Sequence, residues 1–281
     1  MRTEDQIFKD GSTTYYWSSR FFSPKVRVDV LKLYSFVRVA DNYVDAVPQD
    51  TKGFKKLERL WRNKNVPKVV DELTLAVANM RDVAERYDFD PKWTDAFLDS
   101  MRMDTKNTQY KKRKETLTYI YGSAEVIGLM MLAILRPDLR SGEEAKEVQK
   151  YAALQGRAMQ YINFIRDIQE DLALGRSYFA KKDLDFYGLN SLKLSDIHRH
   201  PAEFREFMQG QIALYNEWQT EANKGFKFIP WRERIALRTA VDMYNWTAKK
   251  IEANPYIVFE KKVKPSKARV VARALLRCIY A

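Results

Sequence analysis

Apolar residues recur at intervals of three and four through nearly every long segment of the chain, and strict apolar–polar alternation is scarce. That period belongs to amphipathic helices, not strands, and it predicts helices at about 25–45, 53–63, 67–87, 91–104, 115–136, 142–173, 196–226, 231–253 and 266–279. Prolines punctuate the pattern. Pro24, Pro91 and Pro201 stand near helix starts, where a missing N–H costs little, and Pro48, Pro137 and Pro255 stand where helices stop. The expected fold class is all-α. No Ser- or Gly-rich linker, long charge block or fixed-period repeat interrupts it, so residues 1–281 are expected to form a single domain.

Composition adds mainly a charge. With 46% hydrophobic residues in 281, the chain supports a large core. The net charge of +12 favours an anionic partner: nucleic acid, an acidic membrane surface or a phosphorylated substrate. Positive residues lie along several helices and are densest from Lys261 onward, which argues against a nucleic-acid groove. The longest unbroken apolar run, Val126 to Leu135, is shorter than the roughly 20 residues that span a bilayer, so no transmembrane helix is expected. The opening Met1–Gln6 lacks the apolar stretch of a secretory signal, and the lone Cys278 has no internal disulfide partner. A cytoplasmic location is expected.

Candidate chemistry sits in two segments. In Leu33–Asp45, Asp41 and Asp45 stand one helical turn apart, and Tyr34 and Arg38 precede them on the same stripe. Leu33, Phe36, Val37, Ala40 and Val44 make the rest of that helix apolar, so the carboxylates should be partly buried and need a counter-charge. In Gln160–Asp171, Asn163, Asp167 and Asp171 follow at intervals of four, with Arg166 beside them and Ile162, Phe164, Ile165 and Ile168 around them. Oxygen-only ligands select a hard cation, and Mg²⁺ is typically shared between one or two carboxylates and substrate phosphates. One such acidic pair is usually a solvated helix face. Two facing pairs would repel unless a cation lay between them, which points to a metal–diphosphate site. Such a metal would ease loss of diphosphate, and 16 Tyr, 15 Phe and 6 Trp can line a pocket for the resulting carbocation.

Together these residues resemble the squalene/phytoene synthase family, from about Gly11 to Lys264. Gly11–Tyr16 resembles its N-terminal diphosphate-contacting stretch. Tyr34, Arg38, Asp41 and Asp45 resemble its first aspartate-rich motif, and Tyr121–Gly128 its central helix. Gln160, Asn163, Arg166, Asp167 and Asp171 resemble the second motif, followed by the typical sequel Gly175–Phe179.

The resemblance implies an isoprenoid-synthase helical fold with a central cavity between two aspartate-bearing helices. It also implies head-to-head condensation of two prenyl diphosphates through a cyclopropylcarbinyl diphosphate. Asp41, Asp45, Asn163, Asp167 and Asp171 would hold Mg²⁺, with Mn²⁺ the substitute. Ser12, Thr14, Arg38, Gln160, Arg166, Tyr178 and Lys261 would contact substrate, and Tyr34, Tyr121 and Tyr244 would border the reaction centre. Two positions depart from the family pattern: Asn42, not a second acid, follows Asp41, and Thr13 stands where a basic residue is frequent.

The phytoene branch, using geranylgeranyl diphosphate without NADPH, is favoured over squalene or dehydrosqualene synthesis from farnesyl diphosphate. Non-catalytic assembly-factor relatives of the fold typically lose the acidic ligands that are kept here. Finally, Arg269, Arg273 and Arg277 repeat every four residues opposite Val270, Val271, Ala274, Leu275 and Cys278. This basic amphipathic helix is expected to dock on the protein, peripheral contact with anionic lipid being the alternative.

Overall fold

The computed structural model describes residues 3–279 except 64, 66, 67, 107, 108, 137 and 140. The helix stop expected at Pro137 and the first residue of the helix expected from 67 lie outside the described residues. Those residues form helices and no strand; one isolated parallel bridge joins Gln109 to Ser177.

Two short helices that the periodicity did not signal open the chain. Helix α1 (Glu4–Gly11) starts in a capping box: the Gln6 N–H donates to Thr3 Oγ1 at 3.3 Å and the Thr3 N–H to Gln6 Oε1 at 2.9 Å. In α2 (Thr13–Ser19), Ser12 Oγ accepts from the Tyr15 N–H at 3.2 Å.

The first aspartate helix, α3 (Pro24–Asp45), begins on its proline as expected and packs on α5 (Glu72–Arg86), with α4 (Thr51–Arg62) and α6 (Pro91–Asp104) alongside. Helix α5 starts later than expected because Asp71 caps it, accepting from the Thr74 N–H at 2.8 Å. Then α7 (Arg113–Ile120) runs through a π turn at Tyr121–Glu125 into α8 (Val126–Leu135).

The helix expected at 142–173 divides into α9 (Glu143–Arg166) and α10 (Ile168–Ala173), hinged at Asp167 with φ −100° and ψ 16°. The neighbouring Arg166 and Asp167 side chains clasp each other at 2.5 and 2.7 Å, which adjacent residues on a regular helix do not do. After α11 (Lys181–Phe186) and α12 (Leu194–Ile197), α13 (Pro201–Ala222) begins at its proline, which divides the helix expected at 196–226. A 3₁₀ turn, Asn223–Phe228, leads to α14 (Trp231–Ala253), and α15 (Ile257–Glu260) and α16 (Lys267–Ile279) close the described chain.

Two large apolar cores result. One joins α3–α6 and α8 through residues such as Phe36, Leu57, Val77, Phe97 and Met130; the other joins α7, α9, α13 and α14 through Ile120, Ile162, Phe204 and Ile251. Between them α8 and α9 approach closely. A Cβ on Gly128 or Gly156 would stand 2.2 Å from a backbone carbonyl oxygen of the facing helix, Ala152 or Ala124, so only glycine fits.

The 23-residue helical run Arg113–Leu135, which contains the apolar run 126–135, is long and apolar enough to cross a membrane by length and composition alone. Half of its most apolar window is buried inside the fold, where it forms a central wall. Helix α16 docks on α14, but by a rotated face: Val270 and Ala274 are buried as expected, Arg273 and Arg277 turn inward to Asp242 at 2.6 and 2.8 Å, and Cys278 of the expected apolar face is exposed. Leu275 and Ile279 face outward.

Candidate active site

A cavity of about 530 Å³ lies between the two cores, lined by residues of both. Its polar end is built on α3, α9 and α10. One side carries Tyr34, Arg38, Asp41 and Asp45, spaced four, three and four residues apart so that one helix face presents them all. Gln160, Asn163, Arg166, Asp167 and Asp171 face them across the cavity. Ser12 and Thr14 enter from the start of α2, Tyr244 from α14 and Tyr178 from the segment after α10.

Cations thread between the carboxylates. Arg176, buried, donates to Asp45 Oδ1 at 2.8 Å and to the Val44 carbonyl, while its own N–H donates to the Asp171 carbonyl at 2.8 Å. It therefore ties the two aspartate segments together. Lys262 Nζ reaches Asp167 at 3.3 Å and also pairs with Glu170.

Two carboxyls are nonetheless shifted upward. Burial, then the neighbouring Asp45 charge, pushes Asp41 up to about 7 against the pull of Arg38. Burial and the Asp167 charge push Asp171 up to about 8. Burial also raises Asp167, but the Arg166 and Lys262 cations outweigh it and hold that carboxyl below its ordinary value. Burial and crowded carboxylates together drive two carboxyls toward protonation near neutral pH, and a cation among them would reverse that shift.

The donor set fits a hard divalent cation in kind, since every candidate ligand atom is oxygen. Asn163 Oδ1 supplies a specific sign: it is buried in the Asp167–Asp171 column without a hydrogen-bond partner. Among the described residues no three acidic, His or Cys side chains already stand grouped for a metal. Asp45 and Asp167 are instead drawn onto Arg176 and Arg166.

Two sequence expectations are corrected. Tyr121 does not border the cavity; it is 41% exposed, near Asp90 and Glu125. Tyr119 and Ser123, four residues apart, face the cavity, and a residue midway between them points away. Lys261 is likewise exposed. After α15 the backbone is extended, with Lys261 at φ −162° and ψ 153°, so side chains alternate, and Lys262 and Lys264 face the cavity instead.

The structure also brings in groups that the motifs did not single out. Asp104, at the end of α6, accepts from the Tyr119 hydroxyl at 2.6 Å and the Tyr178 hydroxyl at 2.9 Å, and burial raises it to about 6. Nothing in its sequence neighbourhood marks it. Arg176 was visible within Gly175–Phe179, but its reach to Asp45 was not. Aromatic rings wall the zone next to the acids: Phe164 and Tyr178 stack at 4.2 Å, and Tyr15 lies 5.8 Å from Tyr244. Their faces can stabilise a cation in a site that excludes water.

A family model described as squalene/phytoene synthase matches residues 8–269. Phytoene synthase 3, chloroplastic, of Zea mays is 26% identical over 98% of this chain and 65% of its own length. The 15-cis-phytoene synthase of Enterobacter agglomerans is 28% identical over 86% of this chain and 82% of its own. The chain thus spans about two thirds of the length of the plant relatives it matches. Among solved structures, a dehydrosqualene synthase in complex with ligand superposes with a TM-score of 0.75 at 23% identity, covering 99% of this chain and 94% of that one. A squalene synthase from Alicyclobacillus acidocaldarius gives 0.73 at 18% identity, covering 89% and 92%. At these identities the likeness shows a shared fold.

Proposed function

The chain belongs to the squalene/phytoene synthase family, and within it we propose that this protein condenses two molecules of geranylgeranyl diphosphate head to head to give phytoene. The observation that carries the reading is one cavity with an acidic, cation-threaded mouth and an apolar interior, matched to a substrate with a diphosphate head and a hydrocarbon tail. That both cores wall this cavity supports treating residues 1–281 as a single catalytic domain.

Asp41, Asp45, Asn163, Asp167 and Asp171 would hold Mg²⁺, or Mn²⁺ in its place. When bound, the metal supplies positive charge that neutralises a departing diphosphate. Arg38, Arg166 and Lys262 would bind the diphosphate oxygens, with Ser12, Thr14, Gln160 and Tyr178 orienting them.

The C–O bond of one substrate breaks, diphosphate leaves, and the double bond of the second substrate attacks the allylic cation. Loss of a proton closes the ring of a cyclopropylcarbinyl diphosphate. The second diphosphate then leaves, the cation rearranges, and loss of another proton gives the 1-1′ linked hydrocarbon with no reductant consumed. Tyr34 and Tyr244, kept neutral because burial raises both hydroxyls, would orient diphosphate beside the reacting carbons. The apolar walls keep water from the cation.

The relatives named phytoene synthase support phytoene as the product. The squalene and dehydrosqualene synthases that share the fold support farnesyl diphosphate as the competing substrate. Retention of Asp41, Asp45, Asp167 and Asp171 weighs against a non-catalytic relative. A cytoplasmic location, with outward-facing Leu275 and Ile279 of α16 touching anionic lipid, would suit a product that must leave into a membrane.

Asp41→Ala and Asp167→Ala test the site. Each is expected to lower turnover at least a thousandfold while the helical circular dichroism stays unchanged. Activity within tenfold of the parent for either would show that the metal and diphosphate bind elsewhere.

A further inference from the structure

Beyond the acidic mouth the cavity continues along α9, past Met159, Gly156 and Ala152, to Tyr151 and Val148. Helical rise sets Tyr151 about 18 Å from Asn163, a depth of the order of an extended prenyl tail. At that depth the Tyr151 side chain is braced on three sides. Its hydroxyl donates to Glu147 Oε1 at 3.0 Å, its ring lies over Phe228 at 6.5 Å and 22°, and its Cβ rests on Gly225.

Tyr151 itself is only 9% exposed, yet the Glu147 it bonds and the Lys227 that pairs with Glu147 at 3.7 Å have side chains 45% and 65% exposed. The ring therefore closes the apolar interior at the point where the wall meets solvent. Gly225 lets the two backbones close on each other here. A Cβ there would stand 2.6 Å from Tyr151 Cβ, closer than carbon atoms approach, so any larger residue must part the 3₁₀ turn from α9.

We infer that Tyr151, seated on Gly225, is the floor of the tail-binding cavity and sets the longest prenyl chain the protein accepts. The inference rests on the prenyl diphosphate reading above. The floor is one ring thick, so trimming it lengthens the cavity. A graded gain for longer chains is an effect that general loss of stability would not imitate. A single methylene in an apolar pocket is worth about 10–200-fold in selectivity, and a five-carbon unit spans several.

The test measures dissociation constants for farnesyl, geranylgeranyl and geranylfarnesyl diphosphates by calorimetry in Mg²⁺, together with steady-state turnover, for the parent, Tyr151→Ala, Tyr151→Leu and Tyr151→Phe. Tyr151→Ala is expected to improve affinity for the C25 compound relative to C20 at least tenfold, with Tyr151→Leu in between. Tyr151→Phe, which keeps the ring, is expected to stay within threefold of the parent. Ratios within threefold of the parent across the whole Tyr151 series overturn the floor while leaving the proposed reaction standing. A parent that binds none of the three overturns both. Chain-length-graded binding without turnover supports the floor and sinks the reaction.

Discussion

Removing the Arg176 guanidinium should destabilise the metal-free protein, and more so as pH rises. Arg176→Met keeps most of the side chain's volume and deletes its charge and donors. Its ion pair with Asp45 is worth no more than about 1 kcal/mol, because Asp45 is 49% exposed and screened by solvent. The lost bond to the Val44 carbonyl costs about 1 kcal/mol, since Gln49 Nε2 still donates to that oxygen at 2.8 Å.

The remaining effect acts on Asp41, Asp104 and Asp171, whose charges Arg176 offsets. A carboxyl whose native pKa is raised binds more protons folded than unfolded, so its contribution to stability falls as pH climbs from about 4 through that pKa. Without Arg176 these three rise further, so the fall continues to higher pH. At pH 5.5 Asp41 and Asp171, at about 7 and 8, are protonated in either protein, and the loss should be roughly 2 kcal/mol. At pH 8 it should widen to roughly 3–4 kcal/mol. Urea denaturation in EDTA at both pH values measures the two differences. Equal losses, or a larger loss at pH 5.5, would refute the claim that Arg176 offsets buried negative charge.

Other expectations follow from single contacts. Gly156→Ala forces a Cβ to within 2.2 Å of the Ala124 carbonyl oxygen, which backbone cannot yield cheaply; a loss of about 2–3 kcal/mol in chemical denaturation is expected, and a change under 0.5 kcal/mol would contradict it. Lys262→Ala should raise KM for prenyl diphosphate about tenfold and Lys261→Ala less than twofold, because only Lys262 faces the acidic end. Asp29→Ala strands the buried Tyr87 hydroxyl and removes the main partner of Arg86 outside its own helix, so about 2–4 kcal/mol of stability should disappear while substrate affinity stays unchanged.

Long helices with one apolar face were legible in the sequence. Helices α3, α14 and α16 lie within a residue of their expected limits, since three or more turns of period and a proline or a polar break define each. Helices α1 and α2 are too short for a period; their signals were the caps Thr3 with Gln6, and Ser12. The hinge at Asp167 coincides with its carboxylate meeting Arg166, and no Gly or Pro announces it. The acidic pairs were legible because four-residue spacing alone puts them on one face. Tyr121 and Lys261 were misplaced by local register, two positions around a helix in one case and one step along an extended segment in the other. Asp104 and Arg176 act across 74 and 131 positions of chain, on Tyr178 and Asp45, and such pairings are products of the tertiary fold.

The most direct measurement is incubation of the purified chain with farnesyl or geranylgeranyl diphosphate, in Mg²⁺ or EDTA and with or without NADPH, followed by hydrocarbon extraction and mass spectrometry. The account predicts phytoene from the C20 substrate in Mg²⁺, independent of NADPH and absent in EDTA. No hydrocarbon from either substrate in Mg²⁺ would contradict it.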